Sequence, residues 1–286
     1  MQGGRMMDAL HVEGLQVKLH NFTLNNITLD IPQGSVMGLI GRNGAGKTTF
    51  IKSVLNLLDR KGIVLFHGRS LEKDHEEVCR DIAYVGTDFD FSLNTKVKTL
   101  RKIYRDFYSE FDEQQFESLC EKSDITLKSK LSQLSLGQNK LLQLYLAICR
   151  KPVLLILDEP MANLDPITRR EIIELLSEFM IDETHSILIS SHLLSDLEKI
   201  ADYVTLIDHG NIVLKDDMVH LQDGYYEVFV SKEELTKLPK EIIIHVRKLG
   251  DEYQALCHVL DECQLEGYHY QRADLETIMY YCCEQK

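Results

Sequence analysis

The chain has 286 residues, 44% of them hydrophobic and 27% charged, which suffices for one large α/β domain or one domain with a small appendage. A formal net charge of −13 argues against a broad electrostatic contact with nucleic acid or an anionic membrane surface. No apolar run approaches the ~20 residues that span a bilayer, and residues 1–10 lack the apolar core of a signal peptide, so a cytosolic chain is expected and any membrane part must come from another chain.

Residues 10–18 and 26–31 alternate as two strands, with a turn around His20 and Asn21. Pro32, Gln33 and Gly34 mark a second turn. Residues 35–40 then read as a buried strand, 46–58 as a helix and 63–66 as a short strand. The stretch 94–122 is helical in character. In 137–150 the apolar residues Leu141, Leu142, Leu144, Tyr145 and Ile148 recur at a helical period. Residues 153–157 form an apolar strand of the kind that a parallel sheet buries on both faces. A helix over 166–180 carries Pro166 in its first turn, and 186–190, 204–207 and 212–214 are further strands. Strands alternating with helices predict an α/β core. Beyond Gly224 the pattern shifts to short β-like runs, 226–230 and 242–246, between helical patches. The expected organisation is a domain over 1–224, with a helical subdomain at about 90–150, and a small α+β subdomain over 225–286. The seven cysteines fit no zinc spacing and are expected as free thiols.

Two motifs carry chemistry. Gly41-Arg42-Asn43-Gly44-Ala45-Gly46-Lys47-Thr48 fits G-x-x-x-x-G-K-[ST] between a strand and a helix. The glycines let backbone amides wrap an anion at the positive end of the helix. Lys47 would neutralise the β- and γ-phosphates, and the Thr48 hydroxyl would ligate Mg²⁺. With Thr49, residues 41–48 are the candidate nucleotide contacts. The second motif is the apolar run Leu155-Ile156-Leu157 ending in Asp158-Glu159-Pro160. At such a strand end Asp158 can orient Mg²⁺ through water, and Glu159 can accept a proton from an attacking water.

With these residues the chain resembles the ATP-binding cassette family over nearly its whole length. Leu134-Ser135-Leu136-Gly137-Gln138 looks like the signature L-S-G-G-Q. The resemblance implies that Ser135, Gly137 and Gln138 meet the γ-phosphate across a dimer. Ala162-Asn163-Leu164-Asp165 is similar to the D-loop, which adds Asp165 to the candidate contacts. Ser190-Ser191-His192 is similar to the switch, which makes His192 a catalytic candidate beside Glu159. Residues 203–210 match the closing strand and turn. Three columns depart from the family. Leu136 replaces a signature glycine. Thr87, followed by Asp88, stands where the Q-loop glutamine is usual. Leu19 stands where an aromatic usually stacks on adenine, with His20 and Phe22 near enough to substitute.

The resemblance implies the fold, a RecA-like P-loop core with an antiparallel β subdomain and a helical subdomain. It also implies an ATP-Mg²⁺ hydrolase that drives a transmembrane permease on another chain, working as a homodimer or heterodimer at the inner face of the cell membrane. The single cassette and the ending Ala273-Asp274-Leu275-Glu276-Thr277-Ile278-Met279 are most similar to bacterial ABC-2-type exporters. Residues 1–5 match nothing, and Met6 or Met7 is an alternative start. An importer ATPase shares the core motifs and stays open beside the exporter, as does a soluble cassette ATPase of translation or repair. Against the soluble class, there is one phosphate loop, and no long heptad arms separate Lys47 from Asp158. No nucleic-acid partner is expected.

Overall fold

The computed structural model describes residues 8–87 and 89–283. Met6, Met7 and Asp88 lie outside the described residues. In chain order, β1 (Asp8–Lys18), β2 (Thr23–Pro32) and β3 (Val36–Ile40) precede α1 (Lys47–Val54), β4 (Lys61–Phe66), α2 (His75–Asp81) and β5 (Ile82–Val85). Three helices follow, α3 (Val97–Phe107), α4 (Glu113–Lys122) and α5 (Leu136–Ile148). The chain continues through β6 (Leu154–Asp158), α6 (Pro166–Phe179), β7 (Ser186–Ser191), α7 (Leu194–Leu197), β8 (Tyr203–Asp208) and β9 (Asn211–Asp217). It ends with α8 (Met218–Gly224), β10 (Tyr225–Val230), α9 (Lys232–Leu235), β11 (Ile243–Leu249), β12 (Glu252–His258), β13 (His269–Arg272) and α10 (Leu275–Cys283).

The central sheet has the order β5-β6-β7-β3-β8-β9 and is parallel except for the β8–β9 pair. Every residue of β3, β6 and β7 is buried, as a sheet covered on both faces requires. Because side chains alternate along a strand, the two faces feed separate cores. Leu155, Leu157, Ile187 and Ile189 pack with α5 and α6 on one side. Leu154, Ile156, Leu188, Met37 and Leu39 pack on the other with Phe50, Ile51 and Val54 of α1. The antiparallel sheet β2-β1-β4 covers this second side through Leu10, Val12, Leu29 and Ile31.

One sequence expectation needs correcting. The helix expected over 46–58 stops at Val54, because Asn56 takes a left-handed backbone with φ 58°, a conformation Asn tolerates better than most residues. The stretch 94–122, read as helical, holds two helices, α3 and α4. Asp112 breaks it by capping α4, its carboxylate accepting from Gln115 N at 2.9 Å. Between them Tyr104, Phe111 and Phe116 form an aromatic cluster, and Arg150 stacks on Tyr108 at 3.8 Å.

The C-terminal residues form a sheet of order β11-β12-β10-β13. One face holds its own core, with Tyr226, Val228, Val230, Ala255 and Leu265. The other merges with the main core, where α10 packs on α7 through Leu275, Ile278 and Tyr281. Glu198 accepts from Leu275 N at 3.0 Å and ties the two elements. All seven cysteines are free, and burial pushes the Cys120 and Cys257 thiols up to about 12. Among the described residues no helix is long and apolar enough to cross a membrane.

Ile156 is fully buried in the middle of the sheet. Ile156→Ala should cost ~2–5 kcal/mol in urea unfolding. Ile167→Ala, at a position 74% exposed, should stay within about 0.5 kcal/mol of wild type. Equal losses for the two would contradict this core.

Candidate functional site

The phosphate loop leaves β3 at Ile40 and enters α1 at Lys47. Gly46 sits at φ 118°, and a Cβ there would lie 2.6 Å from the ring of Phe22, so only glycine fits. Gly46 also caps α1 without a side-chain bond, which leaves the first-turn amides to an anion. The loop is held from behind, since Gly210 N donates to Ala45 O at 3.0 Å. Lys47 is 6% exposed, and its ammonium donates to Gly41 O at 2.8 Å and meets Glu159 Oε1 at 3.2 Å.

Asp158 and Glu159 stand at the end of β6. Register pairs Asp158 with Ser190 of β7. The Ser190 hydroxyl donates to Asp158 Oδ1 at 2.6 Å and accepts from Glu159 N at 3.0 Å. The other oxygen of Asp158 is buried without a partner. An orphaned carboxylate oxygen is unfavourable in a sealed core, but it suits a water held by a cation, so this residue fits the expected Mg²⁺. Glu159 has φ 50°, a left-handed backbone uncommon outside glycine and typical of functional positions. That turn aims its carboxylate at two partners. Beside Lys47, His192 Nδ1 donates to Glu159 Oε2 at 2.6 Å. A carboxylate only accepts, so the proton is on Nδ1 and Nε2 is left for another partner.

Residues 42–49, Ala45 aside, line one cavity of about 220 Å³ with Glu159 and His192. Larger cavities of about 580 and 490 Å³ lie elsewhere, beside Phe107 and Arg150 and beside Leu119 and Phe179. Size does not decide between them, because the small one is where the uncapped start of α1 meets Lys47, Glu159 and His192. It is below the roughly 300–1,000 Å³ of an enclosing ligand pocket.

The remaining sequence candidates lie outside this cavity. Ser135 starts α5 as a capping box, its hydroxyl accepting from Gln138 N and its own N–H donating to Gln138 Oε1, both at 3.1 Å. Leu136 opens that helix with its side chain 60% exposed, so the lost glycine distorts nothing. Gly137 must be glycine, because a Cβ would fall 2.8 Å from Thr168 Oγ1 of α6. Asp165 caps α6, accepting from the Thr168 hydroxyl at 2.7 Å and from Ile167 N and Thr168 N at 3.0 Å. The Thr168 hydroxyl and then these amides hold its carboxyl below the usual range. Thr87 follows Gly86 at the exit of β5, and its neighbour Asp88 is outside the described residues. Leu19 is exposed on the turn closed by Leu19 N to Phe22 O, and Phe22 is the one of the three adenine candidates set against the phosphate loop. Sequence reading overlooked Ser190 as a support for both carboxylates. Its signal is a register between strands 32 residues apart, which no local motif carries.

The family described as ABC transporter matches residues 24–162. The ABC transporter ATP-binding protein YtrB of Bacillus subtilis (strain 168) is 31% identical over 209 residues, 73% of this chain and 71% of that protein. The lantibiotic transport ATP-binding protein SrtF of Streptococcus pyogenes is 33% identical over 198 residues, 67% of this chain and 83% of that protein. A solved structure of an ATP binding subunit of an ABC transporter superposes with a TM-score of 0.68 at 24% identity, over 75% of this chain and 92% of the other. At that identity the superposition speaks for the fold.

Ser190→Ala would leave the buried Asp158 carboxylate without the bond to Oδ1. Urea unfolding should show a loss of about 1–3 kcal/mol. An unchanged unfolding midpoint would mean that the hydroxyl supports nothing.

Proposed function

The chain belongs to the ABC transporter family, and we propose on that basis that it powers a separate transmembrane permease as an exporter of peptides, drugs or other amphipathic compounds. As a member of that family it binds and hydrolyses ATP. The meeting of Lys47, Glu159 and His192 at the strand ends beside Asp158 carries the mechanism. The triphosphate lies on the uncapped start of α1, and Lys47 neutralises its β- and γ-oxygens. Glu159 takes the proton of the attacking water, and His192, held by Glu159 through Nδ1, turns its other nitrogen to the γ-phosphate. The Thr48 hydroxyl, and Asp158 through water, would hold Mg²⁺, which offsets charge on the phosphate oxygens.

A cavity too small to enclose a ligand supports a site completed by a second subunit, homologous or identical. Ser135, Gly137, Gln138 and Asp165 belong to the completing surface, since they sit away from their own phosphate loop. Residues 1–224 form the nucleotide-binding domain, with its helical part at about 90–150, and 225–286 the C-terminal subdomain. SrtF, a lantibiotic transport protein by its description, supports the exporter reading. The chain then works in the cytoplasm, at the inner face of the membrane beside its permease.

Glu159→Gln keeps the binding surface and removes the base. With ATP-Mg²⁺ it should accumulate as a dimer in light scattering. A variant that stays monomeric at saturating ATP, with and without the permease, would count against the shared site.

Lys47→Ala should raise the Kd for ATP at least tenfold, because charge-assisted hydrogen bonds contribute ~1.5–3 kcal/mol each. His192→Ala should keep Kd within about threefold while slowing turnover. Equal losses of affinity in the two would reverse the assigned roles.

A further inference from the structure

We propose that Lys140 is a positioning residue for ATP turnover, its buried ammonium fixing α5 to the catalytic edge of the parallel sheet. Lys140 lies in the second turn of α5 and is 8% exposed. Its Nζ donates to Gly86 O at 2.9 Å across 54 positions of chain. Gly86 directly follows β5, and Val85 of that strand pairs with Leu157 of β6. The accepting carbonyl is therefore level with Asp158, one strand away, and belongs to the residue before Thr87. A Cβ at Gly86 would meet the Tyr84 hydroxyl, so a larger residue there would displace that ring.

Packing does not call for a cation at this position. The next residues of the helix, Leu141, Leu142 and Leu144, are buried and apolar, and an apolar side chain would fill the space without desolvating a charge. What the ammonium adds is direction, since it selects one carbonyl to which the helix is held. One end of that helix is the exposed Ser135 and Leu136, and Gly137 sits against Thr168, the partner of Asp165. A rigid helix thus joins the strand end beside Asp158 to the surface read above as completing the other subunit's site. The inference rests on that reading of a shared site. The contacts of Lys47, Glu159 and His192 do not involve Lys140, so losing the ammonium should spare nucleotide affinity and slow the assembled step.

The test compares wild type, Lys140→Met, Lys140→Gln and Lys140→Arg as full chains. Readouts are the Kd for a fluorescent ATP analogue with Mg²⁺, KM and kcat at several protein concentrations, and thermal melting. Lys140→Met should lower kcat about tenfold with KM and Kd within about twofold, and Lys140→Arg, which keeps a charged donor, should recover much of the rate. Lys140→Gln is too short to reach Gly86 O and should behave as Lys140→Met, and it replaces that variant if Lys140→Met fails to fold. Wild-type kcat in Lys140→Met overturns the inference alone, provided that wild-type turnover per subunit rises with concentration. A parallel loss of kcat, affinity and melting temperature that Lys140→Arg does not relieve also overturns it, by reducing Lys140 to packing. Wild-type turnover that does not rise with protein concentration overturns the shared site, and this inference with it.

Discussion

Parallel pairing sets Ile40 level with Ser191, and Asp158 level with Ser190, at one edge of the central sheet. Three chain segments leave the sheet at that edge, and each brings one part of the chemistry. The segment after β3 becomes the phosphate loop and delivers Lys47. The segment after β6 delivers Glu159, and the segment after β7 delivers His192. None of these residues is near the others in sequence. Their contact depends on the order β6-β7-β3, which in turn depends on three strands apolar enough to be buried on both faces. The apolar ladder therefore comes before the site in physical order as well as in chain order.

Legibility in the sequence follows from how local each signal is. The phosphate loop was readable because its needs are met within eight residues, namely glycine at Gly46, a cation at Lys47 and a helix start between them. Asp158 and Glu159 were readable because an apolar run ends on them. The register that sets Ser190 under both carboxylates was not readable, because it is a relation between two strands. The early end of α1 was missed for a related reason. A helical period continues past Val54 in the letters, while the left-handed backbone at Asn56 ends it. In the sequence Leu136 is a departure from the signature motif. In the fold that position is the exposed first residue of α5, and the glycine that sterics require is Gly137.

The same comparison explains which parts of the resemblance the geometry places in one site. Residues 42–44 and 46–49, Glu159 and His192 surround one cavity, whereas Ser135 and Asp165 act within their own chain as helix caps. A cap leaves the side chain at the surface with its helix start pointing outward, and an outward helix start is a place for an anion. A capping residue can thus be explained by local stability and still be available to a second subunit. In the proposed shared site the same hydroxyl or carboxylate would serve both roles at different moments, so the local bond is no argument against the distant one.

Charge burial separates the part of the molecule that makes it stable from the part that makes it work. The two cores flanking the central sheet are built from aliphatic and aromatic side chains. Among the described residues the buried charges are Lys47, Lys140, Asp158, Asp196 and Asp208. Lys47, Asp158 and Lys140 lie at the strand-end side, and each is met by a named group, Gly41 O and Glu159, the Ser190 hydroxyl, and Gly86 O. Such groups cost desolvation that apolar residues of the same volume would avoid. A sheet this well covered does not need them for folding. The meeting of Lys47, Asp158 and Lys140 with these partners at one edge therefore points to work done there, and the apolar cores are what allow the fold to tolerate it.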